Sequence, residues 1–129
     1  MNYFSFAEMY CKDVSSGICD AKAKPVILKE SAATAWVDGQ NGIGPVVGNF
    51  CMDLAIKKAK ECGVGWVVAK GSNHYGIAGW YSMKAVEQHL IVSITVLIRE
   101  VNSSNTYWCI KFLNRVRHPK HKTRQWLKF

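Results

Sequence analysis

Apolar residues in the middle of the chain recur with two different periods. Val47, Cys51, Leu54, Ala55 and Cys62 are spaced as on one face of a helix, with Phe50 beside them, which predicts a helix over residues 45–62. Gly63 supplies its stop. Residues 64–69 are then continuously apolar and rich in valine, as in a buried strand. Ile77, Tyr81 and Ala85 follow at intervals of four, with Ala78 and Val86 alongside, predicting a second helix to about His89. Residues 90–98 read as another strand. Strand, helix, strand in this order implies a right-handed crossover with parallel strands.

The flanks are less regular. Residues 25–30 and 33–37 read as strands, the second ended by Asp38-Gly39. Gly39-Gln40-Asn41-Gly42-Ile43-Gly44 reads as a tight turn opening onto Pro45, a good first helical residue. A plain connection accounts for it better than a phosphate cradle, since it lacks the G-x-G-x-x-G spacing. The helix lysines read as a solvated face, with Asp53 and Lys57 as an i,i+4 pair. Residues 1–24 carry little pattern beyond Phe4, Phe6, Met9 and Tyr10, and residues 13–17 read as a turn. Past Arg99, residues 102–105 signal a loop and residues 108–113 a short strand or helix. The expected organisation is a poorly patterned segment over 1–24, an α/β core over 25–98 and a basic, disordered tail over 99–129.

Charge sharpens the last boundary. Residues 1–95 hold nine lysines against eight acids, net +1, whereas residues 96–129 hold eight Lys/Arg against Glu100 alone, net +7. Such a tail, with Tyr107, Trp108 and Trp126 as stacking groups, raises a nucleic-acid-binding reading as an alternative. Five cysteines, odd in number and without a C-x-x-C pair, argue for inert thiols over disulfides or zinc. His118 and His121 have Pro119 between them and no Cys or acid nearby, so no metal site is expected. No stretch approaches the ~20 apolar residues of a membrane span. The N-terminus does not read as a signal peptide, which leaves a cytoplasmic expectation.

The candidate chemistry lies in Gly71-Ser72-Asn73-His74-Tyr75-Gly76, where the apolar strand gives way to the second helix. Ligands of open α/β sheets bind outside the carboxyl ends of strands. With Ser72 or Asn73 as N-cap, His74 would stand in the first helical turn. There the helix dipole favours a neutral ring, and free N–H groups attract an anion such as a 2-hydroxy or 2-oxo carboxylate. His74 could then take the hydroxyl proton while a nicotinamide takes the hydride. A histidine that merely caps its own turn is the competing structural reading. Lys70 reads as a surface lysine, with contact to a carboxylate or phosphate as the functional alternative.

A longer match adds to this. Lys29-Glu30-Ser31-Ala32-Ala33-Thr34-Ala35, Val37-Asp38-Gly39, Asn41-Gly42-Ile43-Gly44, Ala55-Ile56-Lys57-Lys58-Ala59, Gly63-Val64-Gly65-Trp66-Val67-Val68 and Ser72-Asn73-His74-Tyr75-Gly76-Ile77-Ala78-Gly79-Trp80-Tyr81 resemble the type 2 malate/L-lactate dehydrogenases. That family includes ureidoglycolate and sulfolactate dehydrogenases and imino-acid reductases. Glu8-Met9-Tyr10 and Ser16-Gly17 resemble its preceding segment. The resemblance implies a fragment of a non-Rossmann α/β fold, so the expected architecture is a small mixed sheet with two main helices, followed by the irregular basic C-terminal tail that the charge step marks. It implies NAD- or NADP-dependent oxidation of a small 2-hydroxy acid, by a homodimer or by pairing with full-length subunits. His74 matches the proton acceptor of some members, and Tyr75 and Gly76 would line the cofactor pocket. The chain departs from the family where a Ser-His-Gly segment and a following Arg would precede Glu8, and again after Ile91. The family chain is also more than twice as long. The expectation is an incomplete enzyme or a non-catalytic fragment, truncated, with its last ~35 residues from another reading frame or unspliced sequence.

Overall fold

A computed structural model describes residues 3–97 and 106–115, with side-chain environments for residues 6–95. Trp126, His118 and His121, raised above as stacking or metal-binding groups, lie outside the described residues. The elements are α1 (Tyr3–Ser15), β1 (Val26–Glu30), β2 (Thr34–Gly42), α2 (Gly44–Cys62), β3 (Gly65–Ser72), α3 (Ala78–Glu87), β4 (Leu90–Leu97) and β5 (Thr106–Arg115). They form a mixed five-stranded sheet in the order β1-β2-β3-β5-β4. Only β2 and β3 pair in parallel; the other three pairings are antiparallel.

The two periods read from the sequence explain the core. Along β2 and β3 alternate residues are buried, and Ala35, Val37, Val67 and Ala69 face the helices. From α2, Val47, Cys51, Met52, Ala55 and Ala59 meet them, while Tyr81 and Ala85 arrive from α3 and Leu90 from β4. Full burial of a side chain such as Val37 or Met52 contributes about 1.5–3 kcal/mol. Pro45 opens α2, and Gly63 closes it in the left-handed conformation with its N–H on the Ala59 carbonyl.

Five expectations need correction. First, residues 3–15 form a helix, although their pattern was weak. Its apolar residues Phe6, Met9 and Tyr10 share one face that is only partly buried; the turn there is confined to residues 16–17. Second, β2 continues through Gly42 where a turn was expected. It absorbs Gln40 and Asn41 at φ 55° and 54° as an irregularity in its pairing with β3, with the Gln40 N–H on the Asp38 carboxylate at 2.9 Å. Third, β3 and β4 run in the same direction but are not neighbours. β5 lies between them, so residues 106–115 belong to the sheet and not to an irregular tail.

Fourth, Lys58 is not on a solvated face. Its side chain is 7% exposed, and the ammonium donates to Glu30 at 3.0 Å and to the Ser31 carbonyl at 2.6 Å, tying α2 to the β1–β2 connection. A buried ammonium is tolerated only with such partners. Fifth, Asp53 reaches Lys84 of α3 at 2.7 Å, a bridge between helices where a pair with Lys57 was expected. No described helix is long and apolar enough to cross a membrane.

Candidate active site

Loop 73–77 leaves the carboxyl end of β3 and crosses the start of α2. The approach is so close that a Cβ on Gly44 would stand 2.1 Å from the His74 carbonyl oxygen; only glycine fits there. Asn73 fixes the loop from two sides. Its Oδ1 accepts the Gly44 N–H at 2.6 Å, satisfying one of the orphan donors at the start of α2. Its Nδ2 donates to the Asp13 carboxylate of α1 at 2.8 Å.

His74 is exposed, and its ring is held on several sides. The Gly76 N–H donates to Nδ1 at 3.2 Å. The Tyr10 hydroxyl lies 3.1 Å from the same nitrogen and 3.1 Å from the His74 carbonyl oxygen. Phe6 stacks on the imidazole with centroids 5.3 Å apart at 23°. Partial burial raises the pKa of Tyr10, and the negative charge of Asp13 adds to this, so its hydroxyl keeps its proton.

Beside the ring lies a cleft of about 390 Å³, lined by Phe6, Tyr10, Pro45, Asn49, Tyr75, Gly76, Ile77, Trp80 and Tyr81. His74 adjoins it through Phe6, Tyr10 and Tyr75, its ring neighbours. Tyr81 forms the buried floor. Its ring stacks on Tyr75 at 5.6 Å, and its hydroxyl donates to the Tyr75 carbonyl. Burial drives the Tyr81 pKa far up, with Tyr10, Tyr75 and Cys51 adding to the effect. Asn49 accepts from Trp80 Nε1 at 3.1 Å and from Lys84 at 3.2 Å, which fixes the outer wall.

The sequence-predicted residues are therefore brought together, with one change of setting. Tyr75 and Gly76 line the cleft and His74 stands at its edge. But α3 begins only at Ala78, with Ile77 as an extended N-cap and no side-chain cap. His74 lies four residues ahead of that helix, beyond the first turn over which its dipole acts. The cause is local: of the two expected caps, Ser72 ends β3 with its hydroxyl facing the Gly42 carbonyl and Asn73 is committed to Gly44 and Asp13, and Gly76 turns the chain at φ 89°. Lys70 is turned elsewhere, to Asp38 at 3.3 Å and over the Trp36 ring at 5.4 Å. Phe6, Tyr10 and Asp13 escaped sequence reasoning. Their spacing of four and then three places them on one face of α1, a signal hidden by the mixed character of that face.

Among the described residues, no three His, Cys, Asp or Glu side chains gather as metal ligands. Cys11, Cys19, Cys51 and Cys62 are free thiols, and burial pushes Cys51 up to about 12.

The sequence pattern of the malate/L-lactate dehydrogenases matches residues 4–101. This chain belongs to the malate/L-lactate dehydrogenase family. The match takes in both halves of the site, α1 with Tyr10 and the loop with His74, and stops short of β5. Over 87 residues this family member is 45% identical to a malate dehydrogenase of Pyrococcus horikoshii, covering 67% of this chain and 24% of that protein. Over the same length it is 48% identical to an L-sulfolactate dehydrogenase of Methanocaldococcus jannaschii, covering 67% and 25%. The solved structure of the P. horikoshii malate dehydrogenase superposes with a TM-score of 0.68 at 40% identity, over 74% of this chain and 28% of that one. The chain thus spans about a quarter of the length of these relatives.

Proposed function

We propose that this chain carries the histidine-bearing part of a dehydrogenase site for a small 2-hydroxy or 2-oxo acid, with NAD or NADP as cofactor. The observation that carries the reading is the convergence of α1 and loop 73–77 on one imidazole at the edge of a preformed cleft, with the start of α2 held against the backbone of that loop. His74 is the proton-handling group; Phe6 and Tyr10 hold its ring. The aromatic cleft fits the planar nicotinamide end of a dinucleotide, which Tyr75 and Gly76 would flank. When bound, that ring supplies the hydride acceptor or donor. The chain's own residues orient the imidazole, exclude water from one side of it and handle the proton at the substrate oxygen. Malate and sulfolactate, named for the relatives, are the first substrates to try.

The test is NAD- and NADP-dependent oxidation of malate, lactate, sulfolactate and ureidoglycolate by wild type and by His74→Ala. Turnover that drops by roughly 10²–10⁴-fold in the variant supports the reading. Equal inertness of both overturns it for this chain.

A second reading has an observation of its own. Trp36 and Trp66, exposed by 44% and 37%, lie on the sheet face that alternates away from the helices, and the hollow of about 460 Å³ beside them holds neither His nor Cys. That exposed aromatic face suits pairing with a full-length subunit. Co-purification with such a subunit, lost on Trp36→Glu, supports it.

A further inference from the structure

His74 has two neighbours on one nitrogen, and they constrain where its proton can be. The Gly76 backbone N–H can only donate, and it points at Nδ1 from 3.2 Å. A neutral ring satisfies that contact only when Nδ1 carries the lone pair and Nε2 the hydrogen. The peptide unit between Tyr75 and Gly76 aims this N–H back at the ring two residues upstream, and Gly76, at φ 89°, turns the chain away after it in a conformation that a side chain would strain. The Tyr10 hydroxyl is compatible with the same state, because it can donate to Nδ1 or to the His74 carbonyl, each 3.1 Å away. Phe6, stacked on the imidazole face at 5.3 Å, opposes the ring flip that would exchange the two nitrogens.

We infer that Gly76 locks neutral His74 as the Nε2–H tautomer, with Tyr10 as a second positioning group, so that the ring meets a ligand as a hydrogen-bond donor. The matching ligand group is an acceptor, such as the oxo oxygen of a 2-oxo acid, which the neutral ring binds without exchanging a proton; giving a proton to that oxygen takes the charged ring, which also carries one on Nδ1. That last step rests on the dehydrogenase reading; the tautomer does not. The charged ring is accommodated differently. Its Nδ1–H faces the Gly76 N–H, donor against donor, so that contact opens, and the Tyr10 oxygen accepts in its place while the hydroxyl hydrogen turns to the His74 carbonyl. The two contacts of Tyr10 therefore serve the two protonation states of one imidazole.

The experiment is long-range ¹H–¹⁵N correlation on the full chain labelled with ¹⁵N-histidine, above the ring's titration. The four histidines are distinguished by the signal lost in His74→Gln. The expected result is an unprotonated Nδ1 and a protonated Nε2, unchanged in Tyr10→Phe and averaged between tautomers in Gly76→Ala. Because Gly76→Ala is strained at a positive φ, a coupling across the hydrogen bond between Gly76 N and His74 Nδ1 is sought in uniformly ¹⁵N-labelled wild type as well. A neutral ring protonated on Nδ1, tautomers averaged in wild type, or a missing coupling overturns the inference. Loss of turnover with the lock intact counts against the dehydrogenase reading alone. The wrong tautomer with turnover intact counts against the lock alone.

Discussion

The α2–β2–β3 core and the His74 site lie next to each other and are held together in different ways. In the core, Val37, Met52, Ala55 and Val67 have no measurable exposure, and contact is made by apolar surface over several turns and strands. At the site, exposed His74 is positioned by hydrogen bonds from single atoms and by one stacked ring. The core is collective, so a change in one residue is felt in stability. The site is a set of separable contacts, so a change there is felt in chemistry first.

The largest effect expected follows from the core. Met52→Ala removes a fully buried side chain and is expected to cost about 2–5 kcal/mol in urea unfolding, enough to unfold much of a small domain. A loss under 1 kcal/mol would mean the core is looser than the contacts imply. Gly48→Ala comes next, because its Cβ would meet the Tyr81 ring and hydroxyl at 2.7–2.9 Å. It is expected to cost about 1–3 kcal/mol and to shift Tyr81 off the Tyr75 carbonyl, read by near-ultraviolet circular dichroism. This variant couples core and cleft, and an unaltered tyrosine signal would separate them.

How far each region was legible follows from the same contrast. The periods around Cys51, Val67 and Tyr81 are sequence-local, so the helices α2 and α3 and the strand β3 could be read directly. Lys58 could not, because its burial depends on Glu30 and Ser31, some 28 positions away. The site was half legible. His74, Tyr75 and Gly76 stand in one contiguous motif, whereas Tyr10 and Asp13 reach it from 64 and 60 positions away through side chains on a short, partly buried helix. The reading of Asn73 as a cap was right in kind and wrong in object: it caps α2, not α3. β5 was ambiguous because a strand inserted between two earlier ones leaves no local sign of where it pairs.

Smaller effects test the site side. Asn73→Ala leaves the Gly44 N–H without its partner and frees Asp13; a cost of about 1–2 kcal/mol is expected, with the activity proposed for His74 falling too because the loop loosens. Stability falling with His74 chemistry untouched would detach the loop from the site. Alkaline titration supplies a pH test of the core. Burial raises Cys51 from 9.0 to about 12, so the unfolded chain loses that proton first. Its contribution is complete below pH 9 and is lost as pH rises towards 12; Cys51→Ala is expected to flatten that limb. At pH 8, a thiol reagent should label exposed Cys11 and Cys62 and spare Cys51 in the folded chain. Tyr10→Phe is the mildest change, under about 1 kcal/mol in stability, since its hydroxyl contacts are exposed.

The most direct test of the site as a place where a small oxo or hydroxy acid meets His74 is a titration of ¹⁵N-histidine-labelled protein with pyruvate and oxaloacetate. The account predicts a saturable shift of the His74 Nε2 signal, with the other histidines still, and loss of binding in His74→Ala. A His74 signal that does not move at millimolar ligand, or ligand affinity equal in wild type and variant, would contradict it.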